Sequence, residues 1–101
     1  MNNQSVINAF VCGKSAKSSN GNLKSFGNRL VSYYTTIAQR LDNGTIVLNR
    51  TKYSVSTSKI QTWTKGAFDG HRNVVEVTNV PLGATDLQRY MTLRYFSYLL
   101  Y

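Results

Sequence analysis

The side chains that could carry catalysis are few in this chain and stand apart from one another. Cys12 and His71 could in principle form a nucleophile with its general base, and Asp69 and Glu76 could pair as carboxylates if the fold brought them together. Cys12, however, adjoins an apolar helical stripe, where a buried and unreactive thiol is the usual state. One histidine and one cysteine lack the spacing of a zinc site. We therefore expect no enzymatic activity, no metal and no cofactor.

Basic residues are the main chemical resource of the sequence. Its 101 residues contain 12 Lys and Arg against 4 Asp and Glu, and the formal net charge is +8. The whole excess lies in residues 1–65, because residues 66–101 hold three bases and three acids. The positive electrostatic field of such a charge excess favours a polyanion or an acidic protein surface as the partner. The alternative is that the charge serves solubility alone.

Aromatic residues accompany the bases, as in nucleic-acid sites, which combine cations with flat side chains that stack on bases. One of the neighbours Tyr33 and Tyr34 must point away from the core if both lie in a strand. The alternative is that these tyrosines are good strand formers with a hydrated hydroxyl. Trp63 is expected to anchor the core. The predicted binding residues are Lys14, Lys17, Lys24, Arg29, Tyr34, Arg50, Lys52, Tyr53 and Lys59.

Three helices are predicted to frame these residues. The first spans Asn3–Cys12, where apolar side chains recur at helical spacing. The second runs from about Lys59 to Phe68, after a capping box that begins at Ser58. The third runs from Asp86 to about Leu100, with Thr85 as its cap.

The third predicted helix is apolar around most of its circumference. A domain of this size can cover one side, so the other side is expected to meet a second copy or a partner. Folding back into the core is the alternative. The predicted interface residues are Tyr90, Leu93, Phe96 and Leu100.

Four strands are predicted between the helices. Leu30–Gln39 has the composition of a strand, and Asn43-Gly44 favours a tight hairpin turn to a returning strand at Thr45–Asn49. Lys52–Val55 and Asn73–Val80 supply the others. Residues 14–28, rich in Gly, Ser and Asn, are predicted to form a flexible basic loop.

The sequence thus predicts a single α+β domain over residues 1–101. A small antiparallel sheet of three or four strands is expected, with a short N-terminal helix, a central helix and an apolar C-terminal helix. No apolar run is long enough to span a bilayer. The single cysteine allows no intrachain disulfide, which fits a cytoplasmic protein. We expect a small basic module that binds RNA or DNA through an electropositive surface.

Two segments resemble short proteins encoded by bacteriophages and plasmids. That group shares a Ser-Tyr-x-Thr-x-Ile-Ala strand, present here as Ser32-Tyr33-Tyr34-Thr35-Thr36-Ile37-Ala38. Its second motif, Thr-x-Tyr-Ser-x-Thr-Thr-Ser-Lys, corresponds to Thr51-Lys52-Tyr53-Ser54-Val55-Ser56-Thr57-Ser58-Lys59. A His often follows that Lys in the group, whereas Ile60 stands here.

The resemblance implies a phage or plasmid source and no particular activity. It adds a second hypothesis, a phage-encoded anti-defence protein of the anti-CRISPR kind that binds and inhibits a host nucleoprotein complex. Most inhibitors of that kind are acidic, unlike this chain. In that case the protein would act in the host cytoplasm.

Overall fold

The chain folds as an α+β domain, as predicted. The computed structural model describes residues 2–91. Along them lie α1 (Asn3–Val11), β1 (Ala16–Lys17), β2 (Leu23–Phe26), β3 (Arg29–Ser32), β4 (Thr35–Arg40), β5 (Ile46–Asn49), α2 (Val55–Ala67), β6 (Val74–Val77) and a 3-10 turn at Gln88–Tyr90.

The strands form a single mixed sheet in the order of the sequence, from β1 to β6. Neighbours from β1 to β5 are antiparallel, whereas β6 runs parallel to β5. The parallel step arises because α2 connects these two strands, and a helical crossover lets the chain re-enter the sheet in the same direction. The predicted antiparallel sheet of three or four strands is therefore wrong in strand number and in the direction of its last strand.

Residues 14–28, predicted to be a loop, contain β1 and β2. In β2, Leu23 and Ser25 are buried while Lys24 and Phe26 are exposed, the alternation of a strand with one covered face. Residues 27 and 28 form the turn into β3. Because a strand fixes the direction of its side chains, Lys17 in β1 and Lys24 in β2 have defined orientations.

The predicted strand Leu30–Gln39 is two strands joined by a tight turn. Ser32 pairs with Thr35, so that Tyr33 and Tyr34 alone make the connection between β3 and β4. Tyr33 has a φ of 57°. Hairpin turns usually place Gly, Asn or Asp at positive φ, which is why the sequence gives no turn signal here.

Both helices cover one face of the sheet. Val6, Ile7 and Phe10 of α1 are fully buried against that face, and Phe10 meets Phe68 edge to face at 5.7 Å between ring centroids. Arg40 Nη2 donates to the Phe10 carbonyl at 2.9 Å. This cation at the end of α1 stabilises the helix dipole.

The start of α2 differs from the prediction. Ser54 is the N-cap, since its side chain accepts from Thr57 N–H, and the helix begins at Val55 rather than near Lys59. The predicted strand Lys52–Val55 is irregular up to this cap. Trp63 was expected in the core, but 44% of it is exposed, and it lines the groove between α1 and α2.

The opposite face of the sheet is partly covered by the segment that follows β6. Val80, Leu87 and Met91 pack on Val47 and Val77 in a second apolar cluster. The helix predicted from Asp86 to Leu100 is not seen up to residue 91, where only the short 3-10 turn forms. The rest of that prediction lies outside the described residues.

Polar side chains of the sheet fasten residues 80–87 to this second face. At one end of the segment, the Tyr53 hydroxyl donates to the Val80 carbonyl at 2.6 Å. At the other end, Leu87 N–H donates to Gln39 Oε1 at 2.7 Å. The side chains that hold the segment are Thr35, Thr36, Gln39, Thr51 and Tyr53. The middle of the segment, at Gly83, lies beside the β3–β4 turn, and none of these hydrogen bonds joins the segment to β1, β2 or β3.

Candidate nucleic-acid interface

The register of β1 to β4 gathers basic side chains on the face that the helices leave open. Lys17 lies directly opposite Lys24, Lys24 opposite Val31, and Val31 opposite Thr36. Residues directly opposed across antiparallel strands point to the same face. The two lysines therefore begin one continuous row that runs across four strands.

A second row lies beside the first. Phe26 is opposite Arg29, and Arg29 is opposite Gln39. Phe26 stands two residues from Lys24, and residues two apart in a strand share a face. The two rows are therefore about 7 Å apart along the strands.

Aromatic rings border these rows. Phe26 is 48% exposed, Tyr33 57% and Tyr34 84%, values unusual for large rings in a small sheet. With Lys24 and Arg29 they line a shallow depression of about 220 Å³. We call the set the hairpin surface, and it consists of Lys17, Lys24, Phe26, Arg29, Tyr33 and Tyr34.

Among residues 2–91, no ion pair joins a cation of the hairpin surface to an acid. Within residues 2–91 the ion pairs are both made by Glu76, with Arg50 and with Lys65. No acidic residue lines the depression. Lys17 and Lys24 thus oppose each other without a counter-charge, an arrangement that destabilises a sheet.

Arg29 has a buried hydrogen-bond donor that is not satisfied. Its Nε is buried and has no hydrogen-bond partner among the described residues. A buried donor without an acceptor costs about 1–3 kcal/mol. Arg29 also borders a second depression, which Asp42 and Asp86 line, so the guanidinium marks the boundary between an acid-free and an acidic part of the surface.

Two predicted binding residues hold the fold together instead. Arg50 Nη1 donates to the Gln61 carbonyl at 3.3 Å, and its Nε lies 3.8 Å from Glu76 Oε1. The Tyr53 hydroxyl donates to Val80 and accepts from an amide at 2.9 Å. Neither side chain belongs to the hairpin surface.

Three predicted lysines lie elsewhere on the exterior. Lys59 is on α2 and Lys52 in the segment before it, both exposed. Lys14 follows α1, and its carbonyl accepts from Ser25 Oγ, whose side chain faces the helices. The nine predicted binding residues therefore do not form a single surface. The predicted residues that the structure brings together are Lys17, Lys24, Arg29 and Tyr34.

Phe26 and Tyr33 were missed as members of the site. Gly27-Asn28 was the available signal for Phe26, because Gly-Asn between two alternating runs is typical of a hairpin. That signal predicts strands on both sides and an outward Phe26. Tyr33 had no comparable signal, because its turn lacks Gly, Asn and Asp.

The predicted interface residues fall in two groups. Tyr90 packs, half-buried, against the second apolar cluster. Leu93, Phe96 and Leu100 lie outside the described residues. An interface between copies through this region stays a prediction.

The fold separates Cys12 from His71 but places Asp69 and Glu76 in the same depression as His71. Cys12 is exposed, contrary to the expectation of a buried thiol, and lies in the groove between α1 and α2. His71 stands edge-on to Phe68, at 5.0 Å between ring centroids, in a different depression. Asp69 and Glu76 share that depression, but the Glu76 carboxylate is paired with Lys65 at 3.1 Å. Over residues 2–91, no group of three metal-ligating side chains is close enough to hold an ion.

Comparisons with protein-family models, with curated proteins and with solved structures find no match to this chain. Among the helices of residues 2–91, none combines the length and the apolar character needed to cross a membrane. The hairpin surface is therefore the feature of the described residues that indicates a function.

Proposed function

We propose that this protein is a small non-enzymatic module that binds nucleic acid through the hairpin surface. The observation that carries the proposal is a depression without acids, lined by Lys24, Arg29 and three exposed rings. Lys17 lies directly opposite Lys24 on the same face. Most protein contacts to nucleic acid go to phosphate and sugar, and Lys and Arg make many of them. A bound phosphate chain would lower the repulsion between Lys17 and Lys24.

Charge reversal on the surface tests the proposal. The double variant Lys17→Glu with Lys24→Glu should bind a labelled oligonucleotide at least about tenfold more weakly in fluorescence anisotropy, because two charge-assisted contacts are lost. Both side chains are exposed, so the fold should tolerate the change.

Lys52→Glu with Lys59→Glu is the matched control. It changes the net charge equally, but these lysines lie outside the hairpin surface. We expect this variant to retain most of the affinity. Equal losses in both variants would mean that overall charge alone governs binding, and absence of binding by the unaltered protein near physiological salt would refute the proposal.

A protein partner is the second candidate, and one observation favours it. Leu82 is 75% exposed in a turn fixed beside the hairpin, where Gly83 N–H donates to Thr35 Oγ1. An exposed Leu beside the β3–β4 turn offers the apolar contact that protein interfaces use. This candidate corresponds to the anti-defence hypothesis, and either partner would place the protein in the cytoplasm, that of the host if a phage encodes it.

Nuclease treatment separates the two candidates. If a nucleoprotein complex is the target, a host complex captured on the protein should survive nuclease, and Leu82→Ser should release it. If nucleic acid is the target, the purified protein should bind oligonucleotides directly and Leu82→Ser should have little effect.

A further inference from the structure

The tyrosines of the β3–β4 turn indicate which class of nucleic acid the hairpin surface would bind. We infer that the hairpin surface binds single-stranded nucleic acid, RNA or DNA, by stacking unpaired bases on Tyr33 and Tyr34. This inference rests on the proposed function and adds to it the class of strand and the residues that contact the bases.

The turn presents its rings at a structural cost. A side chain at positive φ is disfavoured, and Tyr33 adopts 57° where Gly would be free of strain. The neighbouring Tyr34 is 84% exposed, so its ring gains little from burial in this fold. Two tyrosines thus occupy a position that neither turn geometry nor core formation explains.

Exposed ring faces suit unpaired bases rather than a duplex. In double-stranded nucleic acid the flat faces of the bases are covered by their neighbours, and proteins reach base edges in the grooves. In a single strand the faces are free, and they stack on aromatic side chains with little regard to sequence. Both helices described here lie on the other face of the sheet, so neither can enter a major groove from the hairpin surface.

Basic side chains lie along the path that a nucleic acid stacked on the β3–β4 turn would follow. Lys24 and Arg29 line the same depression as the two tyrosines, and Lys17 extends the row across β1. Phe26 offers a further ring on the far side of Arg29, at the β2–β3 turn. Single-strand modules combine these same parts, a basic track for the backbone and rings for the bases.

The test compares labelled oligonucleotides of about 12 nucleotides, within the range that single-strand modules cover. A mixed-sequence DNA strand, the RNA strand of the same sequence and the DNA duplex are each titrated with the protein in fluorescence anisotropy. We expect a single strand to bind at least about tenfold more tightly than the duplex. Tyr34→Ala should weaken single-strand binding by about fivefold or more and leave duplex binding little changed. The two single-strand arms identify RNA, DNA or both as the ligand.

Trp63→Ala is the matched aromatic control, because that ring is half-exposed on the helix side. Thermal melts of both variants establish that they fold. Equal or tighter binding of the duplex, or an unchanged single-strand affinity in Tyr34→Ala, would overturn the inference while the proposed function stood. If the unaltered protein bound none of the three oligonucleotides, the proposed function itself would be refuted.

Discussion

Tyr33 and Arg29 each lower the stability of the fold. Tyr33 has positive φ, and the Nε of Arg29 is buried without an acceptor among the described residues. Local costs of this kind concentrate at functional sites, because the rest of the fold offsets them and selection for stability does not remove them. Both residues belong to the hairpin surface, which is the physical reason to place function there.

Replacing Tyr33 by glycine should separate stability from binding. Tyr33→Gly removes the side chain that makes positive φ unfavourable, and the ring is more than half exposed, so little burial is lost. We expect the free energy of unfolding to rise by up to about 1 kcal/mol in urea denaturation. The same variant should bind single strands more weakly. A less stable variant would show that the ring supports the turn rather than a ligand.

The Tyr53 hydroxyl should matter for stability and not for binding. Tyr53→Phe removes the bonds to the Val80 carbonyl at 2.6 Å and from Asn49 Nδ2 at 2.9 Å. We expect a loss of about 1–2 kcal/mol in the free energy of unfolding, with unchanged affinity for nucleic acid. Tyr34→Phe is the control, because that side chain is almost fully exposed and its stability should not change. Weaker binding by folded Tyr53→Phe would return Tyr53 to the binding surface.

At the scale of elements, the sequence predicted those segments whose signals are local. Apolar spacing predicted α1, and Asn43-Gly44 predicted the turn between β4 and β5. The row that contains Lys17 and Lys24 was not predicted, because Ser, Asn and Lys obscured the alternation of β2. The tyrosine turn could not be predicted, since its positive φ is imposed by pairing on both sides rather than by residue type.

The parallel β6 was predictable in principle. A strand, a helix and a strand in succession favour a parallel crossover. The segment Lys52–Val55 was wrongly predicted as a strand because of its composition. In the structure, Tyr53 anchors Val80 and Ser54 caps α2. The second motif of the phage-like resemblance contains this anchor and this cap, whereas the first motif contains Tyr33 and Tyr34 of the hairpin surface.

The cap of α2 can be tested by a pair of serine variants. Ser54→Ala removes the side chain that accepts from Thr57 N–H at 3.2 Å, and should lower the free energy of unfolding by about 1 kcal/mol. Ser58→Ala lies inside the helix and should be close to neutral, because Ala has the higher helix propensity. Chemical denaturation of both measures the difference. A larger loss at Ser58 would favour the start originally predicted.

At the scale of the whole molecule, net charge overstates the charge available to a ligand. Arg50 and Lys65 share Glu76, and Arg40 lies over the Phe10 ring at 5.0 Å. Lys52 and Lys59 form no ion pair within residues 2–91, but they belong to another part of the exterior. The hairpin surface therefore contains three cations, Lys17, Lys24 and Arg29.

The salt dependence of binding should report those three cations rather than the total charge. Each phosphate neutralised on a single strand contributes about −0.7 to the slope of log affinity against log salt, so Lys17, Lys24 and Arg29 together predict a slope of about −2. Engagement of the nine bases of residues 1–65 would instead give about −6. Titrations across a range of KCl concentrations measure the slope, and Arg29→Gln should reduce its magnitude by about 0.7. A slope near −6 for the unaltered protein would mean that the strand also crosses the helix side, and would extend the binding surface to Lys52 and Lys59.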